Sequence, residues 1–151
     1  MSAPTAAHIH AGRAGANGPV RLDLAAGGFT ALPGGGFQAF GSVALEDALV
    51  AAITEDPTAF YVHVHTAEFP AGAVRGQLLG EGAAAAALAA DLRGAREVPD
   101  PGDGDGEGHA TVIRDGANLT YYLWVKGIDA PTAALKVTPA APARWAASWL
   151  A

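Results

Sequence analysis

The stretch Phe60-Tyr61-Val62-His63-Val64-His65 carries the clearest fold signal in this sequence. Aromatic and β-branched residues favour extended structure, and their spacing along the stretch is regular. In a strand, the phenylalanine and both valines would share one face, and the tyrosine and both histidines the other. The stretch therefore predicts a β-strand with one apolar face and one face that bears two histidines.

Short predicted strands separated by glycine and proline turns lie on both sides of this stretch. Residues 45–53 have helical spacing, and Asp56-Pro57 ends that helix because a residue before proline avoids the helical region. An Asp115-Gly116 turn predicts a hairpin. Together these signals indicate an all-β fold: an antiparallel, Greek-key-like sandwich or barrel with one short helix. The further strands are predicted within residues 8–24 (two strands around a glycine loop) and at residues 37–44, 73–79, 110–113 and 119–125.

Composition limits the size of the fold and the classes of function. A chain of 151 residues is expected to form one domain. A net charge of −6, with only nine scattered Lys and Arg, argues against a nucleic-acid-binding surface. The absence of cysteine excludes disulfides and thiolate metal sites. The longest apolar run, residues 83–90, is too short to span a membrane, and residues 1–10 show no signal-peptide pattern.

Two His-x-His pairs are the sharpest chemical feature of the sequence. His8 and His10 form one pair and His63 and His65 the other, each on a predicted strand where residues two apart share a face. Zinc and copper favour imidazole ligands. We therefore expect a Zn²⁺ or Cu²⁺ site that includes His8, His10 and His65. A histidine pair on a strand can also be a solvated or hydrogen-bonded face, and that alternative stays open.

A five-residue repeat links the two ends of the chain: Ala3-Pro-Thr-Ala-Ala7 recurs at residues 130–134. Such a long-period repeat indicates that the same point of one repeating structural unit occurs near both ends of the chain. We expect one domain in permuted order, although a fragment of a tandem array or a frame-shifted product would give the same pattern. The predicted parts are a back half (1–80), a seam that is a linker or short helix (81–90), a front half (91–134) and an atypical tail (135–151).

Three segments resemble the CHRD domain, a module first described in chordin and found widely in bacterial proteins. They are residues 7–20, with His-Ile-His before a glycine loop; residues 56–78, with Tyr-Val-His-Val-His and Arg-Gly-Gln; and residues 92–129, with Arg-Glu-Val-Pro. In the family the third segment comes first, which agrees with a permuted order. The resemblance implies an extracellular or periplasmic binding or structural module, without catalysis, whose partner is an unknown protein or a metal ion.

The chain departs from the family pattern at two positions. The family usually has Asn where this chain has His63, which makes His63 the weaker metal candidate, and an acidic residue where this chain has Ala73. Arg75 lies in the family-like Arg-Gly-Gln motif. Its planar guanidinium favours a buried structural role, which is either to pair a carboxylate, with Glu97 as the leading partner, or to cap backbone carbonyls.

Two other functions remain open at this point. Cu,Zn superoxide dismutases also place His-x-His on a Greek-key sandwich, so a redox metalloenzyme of that type is one alternative. The other is a protein-interaction module in a tandem array, without metal. The chain is expected to be a monomer or a strand-exchanged oligomer, and the sequence predicts no catalytic residues.

Overall fold

The computed structural model describes residues 3–80 and 87–128. Short strands dominate, with one α-helix and two 3-10 turns, at Pro57–Ala59 and Gly94–Arg96. In chain order the elements are β1 (Pro4–Ala11), β2 (Val20–Asp23), β3 (Thr30–Ala31), β4 (Phe37–Ala44), α1 (Asp47–Glu55), β5 (Phe60–Thr66), β6 (Val74–Gln77), β7 (Leu79–Gly80), β8 (Ala87–Arg93), β9 (Glu107–Asp115) and β10 (Asn118–Lys126).

These strands form one antiparallel sheet that curls into half of a barrel. The order across the sheet is β2-β1-β5-β6-β8-β9-β10-β4-β3, and β7 pairs with β8 beside this path. The predicted class, all-β and antiparallel with one short helix, is confirmed. The strands are joined in one continuous sheet, and buried residues from most of its strands form one core.

Alternation along the strands decides which side chains enter this core. In β10, Leu119 and Leu123 are buried, whereas Tyr122 on the opposite face is exposed. Helix α1 contributes Leu49 and Ile53 to the core. The helix ends one residue before Asp56-Pro57, as the sequence predicts.

The strands of the second half complete the sheet rather than forming a separate layer. β8 pairs with β6 at Arg75 and Arg93, and β10 pairs with β4 from Val125–Phe37 to Asn118–Ala44. Strands β8, β9 and β10 therefore lie between β6 and β4. Both segments of the described chain contribute to one hydrophobic core.

The structure corrects the prediction for the alanine-rich stretch. The sequence predicts a linker or short helix at residues 81–90, but Ala87–Ala90 form the start of strand β8. This strand lies between β9 and β7, where burial outweighs the weak strand preference of alanine. Residues 81–86, the second copy of the repeat at 130–134 and the tail at 135–151 lie outside the described residues.

Candidate metal centre

The pairing of β1 with β5 brings both His-x-His pairs together on one face of the sheet. His8 lies directly opposite His63, and His10 lies opposite Tyr61. Side chains opposite one another in an antiparallel pair have Cβ atoms about 4.5–5.5 Å apart. The register therefore gathers His8, His10, His63 and His65 into one group, here called the histidine cluster.

Three members of the cluster have ring nitrogens close enough to share one ion. One nitrogen from each of His8, His10 and His65 lies within 4.8 Å of the other two. His8 Nδ1 and His65 Nε2 are 3.4 Å apart. Two nitrogens bound to one tetrahedral zinc ion at 2.0–2.1 Å would be separated by about 3.3 Å. The spacing of His8 and His65 thus matches metal coordination, and in the metal-free protein the same two nitrogens share a hydrogen bond.

Backbone carbonyls fix the ring tautomers of two of these histidines. His10 Nδ1 lies 2.8 Å from the carbonyl oxygen of Gly18, and His65 Nδ1 lies 3.1 Å from that of Pro70. A carbonyl oxygen only accepts, so each Nδ1 carries the hydrogen and each neutral ring has its lone pair on Nε2. Metal-binding histidines commonly donate their other ring N–H to a carbonyl or carboxylate in this way.

Burial keeps the three rings in the form that binds metal. Burial lowers the pKa of His10 to about 4 and that of His65 to about 2. It also lowers the pKa of the half-buried His8, where the charge of Asp23 acts in the opposite direction. The rings are therefore neutral at pH 7, and neutral imidazole is the ligand form.

The fourth histidine of the cluster faces a carboxyl group. His63 Nε2 lies 2.9 Å from Glu97 Oε2, and both side chains are buried. Burial lowers the pKa of His63 and raises that of Glu97 to about 8. The Glu97 carboxyl thus keeps its proton at neutral pH and donates it to His63 Nε2. This contact sets His63 apart from the three-histidine group, although its ring centroid is only 4.3 Å from that of His65.

Of the two structural roles expected for Arg75, the structure shows the capping of backbone carbonyls and not the ion pair with Glu97. Arg75 is buried, with 1% of its surface exposed, as the sequence prediction requires. Its donors, however, go to Asn17 Oδ1 and to the carbonyl oxygens of Arg13 and Ala16. The loop after β1 folds over the guanidinium and supplies these acceptors, and the Glu97 carboxyl is held by the histidine cluster instead.

Sequence reasoning missed the residues that support the cluster. Tyr61, whose ring stacks on His10, could have been found, because the strand pattern puts it on the histidine face. The carbonyls of Gly18 and Pro70 could not, since a backbone acceptor leaves no side-chain signal. His109 lies outside the cluster, four strands away from β1 in the sheet order counted through β5, β6 and β8, and pairs with the exposed Asp91.

Gly72 closes the cluster on the side of Glu97, and its replacement by alanine is expected to destabilise the fold strongly. Its φ of +131° is one that L side chains rarely adopt, and an added Cβ would lie 1.9 Å from His63 Nε2 and 2.7 Å from Glu97 Oε2. We expect Gly72→Ala to lower the free energy of unfolding by about 3 kcal/mol or more, measured by urea denaturation.

Gly104→Ala is the matched control for this substitution. A Cβ at Gly104 meets no atom within 4 Å, and its backbone has no positive φ. We expect a change within about 0.5 kcal/mol. Equal effects of the two substitutions would show that Gly72 does not pack against the His63–Glu97 pair.

Comparisons with known proteins place the first part of the chain in a family. The model of the family described as the CHRD domain matches residues 1–78. This match spans β1 to β6 and includes all four histidines of the cluster and Arg75. No curated protein and no solved structure matches the chain. Among the described residues, no helix has the length and apolar character needed to cross a membrane.

Proposed function

Since this chain belongs to the CHRD domain family, we propose that it is a non-catalytic binding module that holds one Zn²⁺ or Cu²⁺ ion through His8, His10 and His65. The observation that carries the proposal is the convergence of three ring nitrogens within 4.8 Å of one another. The carbonyls of Gly18 and Pro70 support it, because they fix the tautomers of two of the rings.

The chemistry of the three residues selects the class of metal. Neutral imidazoles suit zinc and copper, whereas magnesium and calcium prefer oxygen ligands. His10 and His65 are buried and His8 is half-buried, so an ion would enter from the His8 side. His63 is proposed to stay outside the ligand set, because its Nε2 is engaged by Glu97.

A superoxide-dismutase-type enzyme is the second candidate. Three protein ligands leave a fourth position on a tetrahedral ion, and catalytic zinc centres usually have this arrangement, whereas structural centres have four protein ligands. Metal analysis followed by a superoxide assay separates the candidates. We expect one ion per chain without dismutase activity. Metal binding with activity would favour the enzyme, and no metal at all would favour a pure protein-interaction module.

The family also indicates the setting in which the module acts. CHRD domains are generally extracellular, and membership suggests a protein-binding module. We propose that this chain acts outside the cell or in the periplasm and that a protein is its partner besides the metal. A metal held between β1 and β5 would then stabilise the strands that the module presents.

The chain organisation is proposed to be one domain in permuted order within residues 1–134, followed by an atypical tail. The position of β8, β9 and β10 between β6 and β4 supports it, because neither half of the described chain has a complete sheet. The contact of Glu97 with His63 also supports it, since the two residues come from different halves.

The pH dependence of the metal-free protein follows from the lowered pKa values of His10 and His65. Both lie below the value of about 6.5 in an unfolded chain, so the unfolded state takes up protons first as the pH falls. We therefore expect the free energy of unfolding to decrease as the pH falls from about 6.5 towards 4. Urea midpoints at pH 7 and pH 5 measure this decrease.

Glu97 acts in the opposite direction and provides the control. Because the pKa of Glu97 is raised, the folded state binds this proton more tightly than the unfolded state does. The stability that the proton contributes to the fold is therefore lost as the pH rises towards 8. A Glu97→Gln variant keeps a donor to His63 but removes this opposing contribution. The decrease between pH 7 and pH 5 should be larger in that variant. Identical midpoints of the Glu97→Gln variant at both pH values would contradict the burial of neutral histidines.

A further inference from the structure

We propose that Arg75 is a positioning residue for the metal ligand His10: it holds the glycine loop (residues 12–19) so that the Gly18 carbonyl orients the His10 ring. The inference rests on the proposed metal-binding function. Arg75 itself makes no hydrogen bond to the histidines, so its effect passes through the loop and through Tyr61.

The guanidinium organises the loop from inside. Its Nη1 lies 3.0 Å from Asn17 Oδ1, and its Nη2 lies 3.0 Å from the carbonyl oxygen of Arg13 and also donates to that of Ala16. Three acceptors from different parts of one loop thus converge on one planar group. The rigid fork of arginine can reach all three, whereas the single ammonium of lysine cannot hold them in one plane.

The end of the loop delivers the carbonyl that orients His10. Gly18 lies next to Asn17, and its carbonyl oxygen accepts the hydrogen bond from His10 Nδ1 at 2.8 Å. Its N–H donates to the Tyr61 hydroxyl oxygen at 3.2 Å. A Cβ on Gly18 would lie 1.6 Å from the Ala11 carbonyl oxygen, so only glycine fits this close approach.

Tyr61 provides a second connection from Arg75 to the ligand. The Arg75 Cζ lies 3.5 Å from the centroid of the Tyr61 ring. The same tyrosine ring stacks on His10. The Tyr61 and His10 centroids are 4.9 Å apart and the rings are within 14° of parallel. A cation over an aromatic ring is attracted to it. The guanidinium therefore holds both the hydrogen-bond acceptor and the stacking partner of His10.

A conservative substitution tests this role. In Arg75→Lys we expect zinc affinity to fall about 10- to 100-fold, the range typical for outer residues that orient metal ligands. A structural effect alone could lower affinity, so the second readout is the His10 tautomer in the metal-free protein, observed by ¹⁵N NMR of the imidazole. We expect wild type to show hydrogen on Nδ1 only and Arg75→Lys to show a mixture of tautomers.

Arg93→Lys is the matched control. Arg93 lies opposite Arg75 in the β6–β8 pairing but is exposed and bonds Glu107. It should leave zinc affinity and the tautomer unchanged. A folded Arg75→Lys protein with wild-type affinity and an unchanged tautomer would overturn the proposal.

Asn17→Ala keeps the test decisive if Arg75→Lys does not fold. Asn17 is exposed, and its loss removes one of the three acceptors of Arg75. The proposal expects a tautomer mixture and weaker zinc binding, and unchanged values for both overturn it. If wild type binds no zinc but these variants alter the tautomer, the metal-binding function fails and the role of Arg75 in orienting His10 stands.

Discussion

A His65→Ala variant is expected to lose zinc affinity by about a thousandfold or more. His65 is buried, its Nε2 lies 3.4 Å from His8 Nδ1, and its tautomer is fixed by the Pro70 carbonyl. Structural zinc sites bind with roughly 10–16 kcal/mol, so removal of one ligand of three costs several kcal/mol, at about 1.4 kcal/mol for each factor of ten. Titration with Zn²⁺ against a competing chelator measures the loss.

His109→Ala is the control for this prediction. His109 is a strand histidine in the same chain, but it pairs with Asp91 away from the cluster. Its loss should change zinc affinity less than about threefold, within the range of surface substitutions. Since His65→Ala also opens a buried space, a folded variant must be shown by circular dichroism. Equal affinities of the two variants would mean that zinc binds elsewhere.

Residues 1–80 alone are expected not to fold, even though the family match lies within them. Without β8, β9 and β10, strands β6 and β4 lose their neighbours in the sheet, and open strand edges are unfavourable. The core also loses Leu119, Leu123 and Ile128, all at most 1% exposed in the full chain. The expected result is complete loss of cooperative unfolding, observed by urea denaturation and by proton NMR dispersion.

Recombination provides the control for this experiment. Adding a second fragment that begins at residue 81 should restore a dispersed spectrum, because it supplies the missing strands and Glu97. Light scattering then reports whether the intact chain is a monomer or exchanges halves between copies. A cooperative transition in residues 1–80 by themselves would contradict the proposal that both halves make one domain.

The two-residue period of a β-strand made the shared face of the paired histidines predictable. In β5, residues two apart share a face, so the placement of the paired histidines followed from their spacing alone. Once β1 and β5 are known to be neighbours, their antiparallel pairing brings the two histidine pairs together. The helix end before Pro57 was predictable for a similarly local reason, the restriction on the residue before proline.

The interactions that depend on long-range register were not predictable. Glu97 was wrong as the partner of Arg75 because the loop after β1, distant in sequence, supplies the acceptors of the guanidinium. The strand at Ala87–Ala90 was missed because alanine has little strand preference, and only its position between β7 and β9 makes it a strand. Neither position carries a local pattern that would reveal its neighbours.

His8, His10 and His65 are proposed to bind one metal ion. The most direct measurement is zinc-edge X-ray absorption of the protein loaded with one equivalent of Zn²⁺, compared with the His65→Ala variant. We expect three imidazole nitrogens at about 2.0–2.1 Å in wild type and fewer in the variant. A wild-type spectrum with one imidazole or none, unchanged by His65→Ala, would contradict it.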